Sequence, residues 1–459
     1  MQVTRNPRML VLFFLIVLPA VECPWAQQRG KIRGFITARS EPGTLMIMDD
    51  AIRLRTGVQL EIQDGPSGKQ LSDADLTVGT VIEAEGVWAG KHQFTAEKIK
   101  CDWDQFDQQI RDHAYLDREP ERPEDLGPGR KSQLKVDGEH LVMDENSRRE
   151  WQGLSQPVAP EALASLPWLG RQIRYSGVRQ PDGTMAVRNL EIGLFAPADA
   201  YEIPGKRKLV RAQDSKTGID ILEFRKDKRV EGRFKLFPVR QVQEYVSALG
   251  MRLIPPAAKQ PPMSGIEFRF YVVEDATANA SALPDGAIMV NTGLLGLIEN
   301  EAQLAFVLSH EVAHVLQAHY WRHVNETRTK RVLITIAAVA GSAYIGDVAL
   351  VLGQLGMAAV VNGLSRRLEN QADRLALQNV VDQGYDAAQA IKFFRLMVAR
   401  YSDRTTSALW SNHDSSVMRG SFLTVQIARR YPKQESGKGI VDTDAFRAMR
   451  DAMGPVKTL

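Results

Sequence analysis

Only two cysteines occur in the 459 residues, Cys23 and Cys101. Cys23 lies in a stretch that reads as an export signal, so a cleaved chain keeps one cysteine and forms no internal disulfide in any compartment. Stability must then come from a buried core, in which Cys101 reads as a small residue closing a strand. An excess of charge of one sign is also missing, with 58 Lys and Arg against 55 Asp and Glu. That balance gives no reason to expect nucleic acid or a strongly anionic surface as partner. The N-terminal apolar run, residues 9–18, is half the length of about 20 residues that a membrane-spanning helix needs. What remains, 44% hydrophobic and 25% charged residues, excludes a disordered tail and a polytopic membrane protein. At about 150 residues per domain the length allows roughly three.

Arg5 and Arg8 precede the apolar run and Pro19-Ala20 ends it, the order of a secretory signal. We assign residues 1–26 to that signal, with cleavage after Ala26 or Ala20. Glu22 stands before Cys23 where lipidation wants a small residue.

From about residue 30 to 197, short alternating runs are punctuated by glycine, a period of two that argues for strands. An apolar-Gly-x-x-Ile-x-x-x-Gly-Val frame at residues 78–87 (Gly79, Ile82, Gly86, Val87) returns at 169–178 (Gly170, Ile173, Gly177, Val178). Two tandem OB-like β-barrels are expected, 27–116 and 130–200, split by an acidic, proline-bearing linker near 117–129. Barrels of this pattern often bind nucleic acid. Here residues 27–200 hold 22 Lys and Arg against 28 Asp and Glu, and a net negative pair repels phosphate. Residues 206–235 are basic and read as a solvated linker. Helical spacing starts after Pro238 (Val242, Tyr245, Val246, Leu249), and alternating strands follow at 266–273 and 287–290. The third domain, 238–459, is expected to be α+β, mostly helical with a small sheet.

The chemistry concentrates in His310-Glu311-Val312-Ala313-His314. On a helix the two histidines stand one turn apart on one face and can both reach one Zn²⁺, with Glu311 beside the metal as a proton acceptor. Asn300 followed by Gln303 resembles a capping box, and neither glycine nor proline interrupts the chain to Tyr320. Gln317 and Tyr320 stand where a metzincin would have glycine and histidine, and His319 is one position off. The third ligand must come from elsewhere. Glu369 and Asp373 share a helix face, so Glu369 can ligate while Asp373 fixes a histidine tautomer; Glu326 and Asp347 are the other candidates. Two histidines and one glutamate leave a fourth position open, the catalytic arrangement.

These pieces, with Asn279 to Gly286, Asn291 to Leu295 and Ser365-Arg366, resemble the gluzincin zinc metallopeptidases of the CAAX prenyl endopeptidase type, in particular their soluble periplasmic branch. The resemblance covers about 238–455. It implies a zincin-like domain, one zinc ion on His310, His314 and Glu369, Glu311 as base, and a bacterial envelope location. A further match at Ser411 to Asp414 and Arg419 implies that His413 approaches the zinc and that Arg419 sits nearby, although Asp414 replaces the usual proline. Protein substrates follow, among them misfolded or unassembled envelope proteins. The competing reading is a metal-bearing but non-proteolytic chaperone or adaptor working through its β modules.

Between the ligands, residues 332–361 are mostly apolar, with Asp347 and Gln354 inside. Gly346-Asp347 favours a hairpin of two helices over the catalytic domain, a lid; a membrane-surface contact and a true span are the alternatives.

Overall fold

The computed structural model describes residues 28–41, 43–47, 50–62, 72, 76, 78–101, 114–115, 126–136, 139–151, 172–182, 184–193, 198–203, 206–259, 263–323, 366–401, 416–431 and 438–455. The expected signal at 1–26, the segment 332–361, Glu326, Asp347 and His413 lie outside the described residues. Helices and several sheets together make the chain α+β.

The repeated frame becomes two sheets with one strand order. Strands β1 (Gln28–Glu41), β2 (Thr44–Ile47), β3 (Asp50–Ile62), β4 (Val81–Gly90) and β5 (Gln93–Cys101) close into a barrel in the order β1-β2-β3-β5-β4. Its closure comes from β1, which pairs with both β2 and β4. The second sheet holds β6 (Ala114–Tyr115), β7 (Ser132–Val136), β8 (Glu139–Trp151), β9 (Gln172–Arg179) and β10 (Met185–Ile192), in the order β6-β9-β10-β8-β7. In reverse, β7-β8-β10-β9-β6 is the order of the first barrel cut between β1 and β2, down to the one parallel pair in each, β3 with β5 and β8 with β10. Among the described residues the second sheet stays open where the first closes. Because β6 pairs with β9, the second sheet takes its first strand from upstream of the expected linker.

The frame's second glycine has a physical reason. The ladder carries an extra residue opposite Gly86 and again opposite Gly177, a β-bulge in each sheet. A Cβ on Gly86 would sit 2.0 Å from the Thr95 carbonyl oxygen, and one on Gly177 2.1 Å from that of Ala186. No side chain fits there. Alternate residues such as Ile36, Leu45, Ile82, Phe94 and Ile99 fill the barrel, with Cys101 buried among them at the end of β5.

Residues 206–235 are not a solvated linker. They form an antiparallel meander of β11 (Arg207–Gln213), β12 (Asp220–Lys226) and β13 (Arg229–Lys235). Leu209, Leu222, Phe224 and Phe234 bury one face against Val273 and Met289 of the next sheet. On the other face Arg225 and Arg233 neutralise the buried Glu223, while Arg207 and Arg211 flank Leu209 on the apolar side and pair with Glu231 and Asp220. Period-two alternation was present, masked by charge.

The third domain has a small sheet of β14 (Arg269–Val273), β15 (Ala280–Ala282) and β16 (Ala287–Asn291), in the order β14-β16-β15. Parallel β14 and β16 are central to the expected strands, and β15 packs toward a helix. Helices of this domain among the described residues include α1 (Arg240–Arg252), α2 (Thr292–Leu297), α3 (Glu301–Leu316), α4 (Arg366–Asp382), α5 (Ala388–Tyr401), α6 (Ser416–Arg430) and α7 (Asp444–Met453), of which α1, α2 and α3 pack on the sheet. All sixteen residues of α3 are buried. It is the core helix, which explains why its sequence is apolar on nearly every side.

Asn300 caps α3 by accepting from the Gln303 N–H, while the Gln303 side chain accepts from the Glu299 N–H. Glu301, in the first turn, receives hydrogen bonds from Tyr245 (2.6 Å), Arg252 (2.9 Å), Tyr385 (2.5 Å) and the Thr443 hydroxyl. Burial raises its pKa, but these donors outweigh that and hold the carboxyl below its ordinary value. A carboxylate at this end also suits the helix dipole.

Candidate metal centre

The C-terminal half of α3 carries the chemistry. One helical turn brings His310 and His314 together with their Nε2 atoms 2.8 Å apart. From α4, Glu369 approaches with Oε2 3.5 Å from His310 Nε2 and Oε1 3.6 Å from His314 Nε2. One ligand atom from each of the three lies within 4.8 Å of the others, and all three residues are buried. Two imidazole nitrogens and a carboxylate converging in an enclosed site fit Zn²⁺. A second observation supports the fit: Glu311 Oε1 is buried without a hydrogen-bond partner among the described residues. Burial lifts the Glu311 carboxyl to about 7, with His310 and Arg419 pulling it down and Glu369 pushing it up.

Each histidine has its outer nitrogen held. His310 Nδ1 donates to Asp373 Oδ1 at 3.0 Å, which leaves Nε2 as the lone-pair nitrogen facing His314. Arg419, from α6, grips Asp373 with two bonds, Nε to Oδ2 at 2.8 Å and Nη2 to Oδ1 at 2.6 Å, and its Nη1 lies 3.3 Å from Glu369 Oε2. Asp373 is buried, which raises its pKa, yet Arg419 and His310 hold it below the usual carboxylate range. For His310, burial and Arg419 act downward, but Asp373 and Glu369 prevail and raise it to about 9. A cation at the three ligand atoms competes with that proton, so occupancy must fall on acidification.

His314 is held by a residue the helical pattern set aside. Its Nδ1 lies 2.7 Å from His319 Nδ1, and His319 Nε2 lies 3.1 Å from Gln371 Oε1, whose amide donates to Gln317 Oε1 at 3.0 Å. With the Gln371 amide oriented this way, one proton assignment satisfies the chain. The Gln371 oxygen accepts, so His319 carries its proton on Nε2; its Nδ1 then accepts from His314 Nδ1–H, and His314 Nε2 is left for a metal. Burial drives the His319 pKa down to about 3, so the ring stays neutral and can accept. The helix ends at Leu316 and Ala318 takes a positive φ of 48°, which turns His319 back toward His314. Helical spacing cannot foresee that step. The left-handed residue is the cost of this placement.

His310, His314, Glu369, Asp373, Glu311 and Arg419 thus meet in one buried cluster, whereas His413 lies outside the described residues. Residues 240–426 match the model of Peptidase family M48. A 180-residue segment is 30% identical to the beta-barrel assembly-enhancing protease of Escherichia coli (strain K12), covering 36% of this chain and 35% of that protein. A 170-residue segment is 31% identical to the mitochondrial metalloendopeptidase OMA1 of Arabidopsis thaliana, covering 35% of this chain and 32% of that protein. The chain therefore spans about a third of the length of these relatives.

Proposed function

We propose, from the premise that residues 240–426 belong to peptidase family M48, that the chain is a zinc-dependent endopeptidase. The carrying observation is the convergence of three buried ligand atoms from His310, His314 and Glu369 beside the unpartnered Glu311 oxygen. A zinc ion held there supplies a Lewis acid that lowers the pKa of water and polarises a peptide carbonyl. Glu311 takes the proton of the attacking water and delivers it to the departing amine, a transfer suited to a carboxyl poised near neutrality. Asp373 aims His310 and His319 aims His314, while Arg419 holds Asp373 and Glu369 in register. At the sheet edge, β15 can receive an extended peptide as an added strand, which favours unfolded or exposed segments over folded ones.

The substrate class we infer is misfolded or unassembled envelope protein, in an exported, envelope-associated enzyme. It draws on the export-like N-terminus and on the name of the Escherichia coli relative. We read the two N-terminal sheets as OB-like modules for protein contact, their acidic balance opposing nucleic acid. The test is cleavage of an unfolded reporter such as reduced, alkylated casein by the purified chain. Activity should vanish with a zinc chelator and return with added zinc; cleavage indifferent to the chelator would reject the mechanism.

A further inference from the structure

Phe35 is fully buried, yet it does not belong to the core of its own barrel. It neighbours Ile36 on β1, and consecutive strand residues face opposite ways. Ile36 points into the barrel core, whereas Phe35 joins Val81 in a separate cluster with Val417 and Met418 of α6, flanked by Ile391 and Val398 of α5. The first barrel is therefore seated on the catalytic domain through an outward-facing aromatic. A second contact reinforces the seat: the Ser421 hydroxyl donates to the Gly79 carbonyl oxygen.

The helix is shaped for this contact. Gly420 lies inside α6, where glycine is less favourable than alanine. A Cβ there would stand 2.5 Å from Phe35 Cε1 and 3.3 Å from Phe394 Cβ. The missing side chain lets the barrel's ring approach the helix backbone. The residue before it, Arg419, stands about 100° round the helix, its guanidinium 4.7 Å from the centroid of the Phe394 ring and its nitrogens on Asp373 and Glu369. From barrel to metal site the packing is continuous, through Phe35, Gly420, Phe394 and Arg419.

We propose that the first barrel is a positioning element for the metal centre, with Phe35 against Gly420 fixing the turn of α6 that aims Arg419 at Glu369 and Asp373. The barrel lies outside the segment matched by the family, residues 240–426. This inference rests on the zinc-peptidase reading for its consequence but not for its contact. It assigns Phe35 and Gly420 the role of positioning residues. A partner that lifts the barrel would loosen the site from outside it.

The test is a double-mutant cycle in the full chain loaded with zinc: wild type, Phe35→Ala, Arg419→Gln and the double variant. Zinc loss to excess chelator is read in all four, and kcat and KM on an unfolded peptide in the active ones. Coupling through packed neighbours predicts that Phe35→Ala speeds zinc loss about tenfold and lowers kcat with KM little changed. Phe35→Leu should restore most of both, since it refills the seat. In the Arg419→Gln background, Phe35→Ala should add nothing. The proposal is overturned if Phe35→Ala multiplies zinc loss by the same factor in both backgrounds, or leaves it unchanged in the wild type. Because Phe35 is outside the barrel core, the folded barrel can be checked by circular dichroism. A chain that holds zinc and cleaves nothing would sink the peptidase reading, while the zinc-loss cycle still decides this one.

Discussion

The two ends of α3 are both buried and both charged, but they are built for different tasks. At the N-terminus, Glu301 gathers four donors from α1, from the turn after α4 and from the cap of α7. At the C-terminus, His310, Glu311 and His314 stand among carboxylates, Glu311 keeps an oxygen without a hydrogen bond among the described residues, and Ala318 is left-handed. Satisfied polar groups mark the end that holds the fold. Unsatisfied and strained ones mark the end that holds the chemistry.

The comparison breaks most sharply at Glu311. Glu311→Gln should retain zinc and thermal stability while kcat falls by about 10²–10⁴, the range of a lost general base, in a steady-state peptide assay. A comparable fall in zinc content would instead make Glu311 a structural residue. Next in size is His319→Ala, which should weaken zinc binding about 10–100-fold in a chelator competition. His319→Gln, which keeps an acceptor, should recover part of the loss if the proton chain is right.

At the other end, Glu301→Gln should lower stability by about 2 kcal/mol in urea unfolding and leave zinc affinity unchanged. The sign with pH follows from the depressed carboxyl. Its stabilisation is fully present above the unfolded-state value of about 4.3 and is lost as pH falls through the lower folded value. Wild type and variant should therefore converge in acid; a gap that widened would contradict the network. The smallest effect is expected of Ala318→Gly, a gain of about 0.5 kcal/mol by relief of a positive φ, measured by thermal melting.

Much of this site was legible because helices carry their geometry in their spacing. His310, Glu311 and His314 follow from one turn of α3, and Glu369 with Asp373 from one turn of α4. Arg419 came only from resemblance, since nothing in a single sequence ties α6 to α4. His319 was passed over because its reach depends on a left-handed residue beyond the helix end. The tandem frame foretold two sheets of one design, but the bulges opposite Gly86 and Gly177 were not read from it, because a bulge is a property of the pairing rather than of one strand. The meander of β11 to β13 was lost behind its charges, although Leu209, Leu222, Phe224 and Phe234 had the strand alternation. Phe35 looked like any core residue of a strand. Which face it used was a matter of register, and register is set by pairing.

The central claim, that His310, His314 and Glu369 form one metal site, is tested most directly by elemental analysis of the purified full chain, wild type beside Glu369→Ala. The account predicts about one zinc per chain in the wild type and a loss or sharp weakening in the variant. Equal zinc in both, or none in either without chelator present, would contradict it and leave α3 an ordinary buried helix.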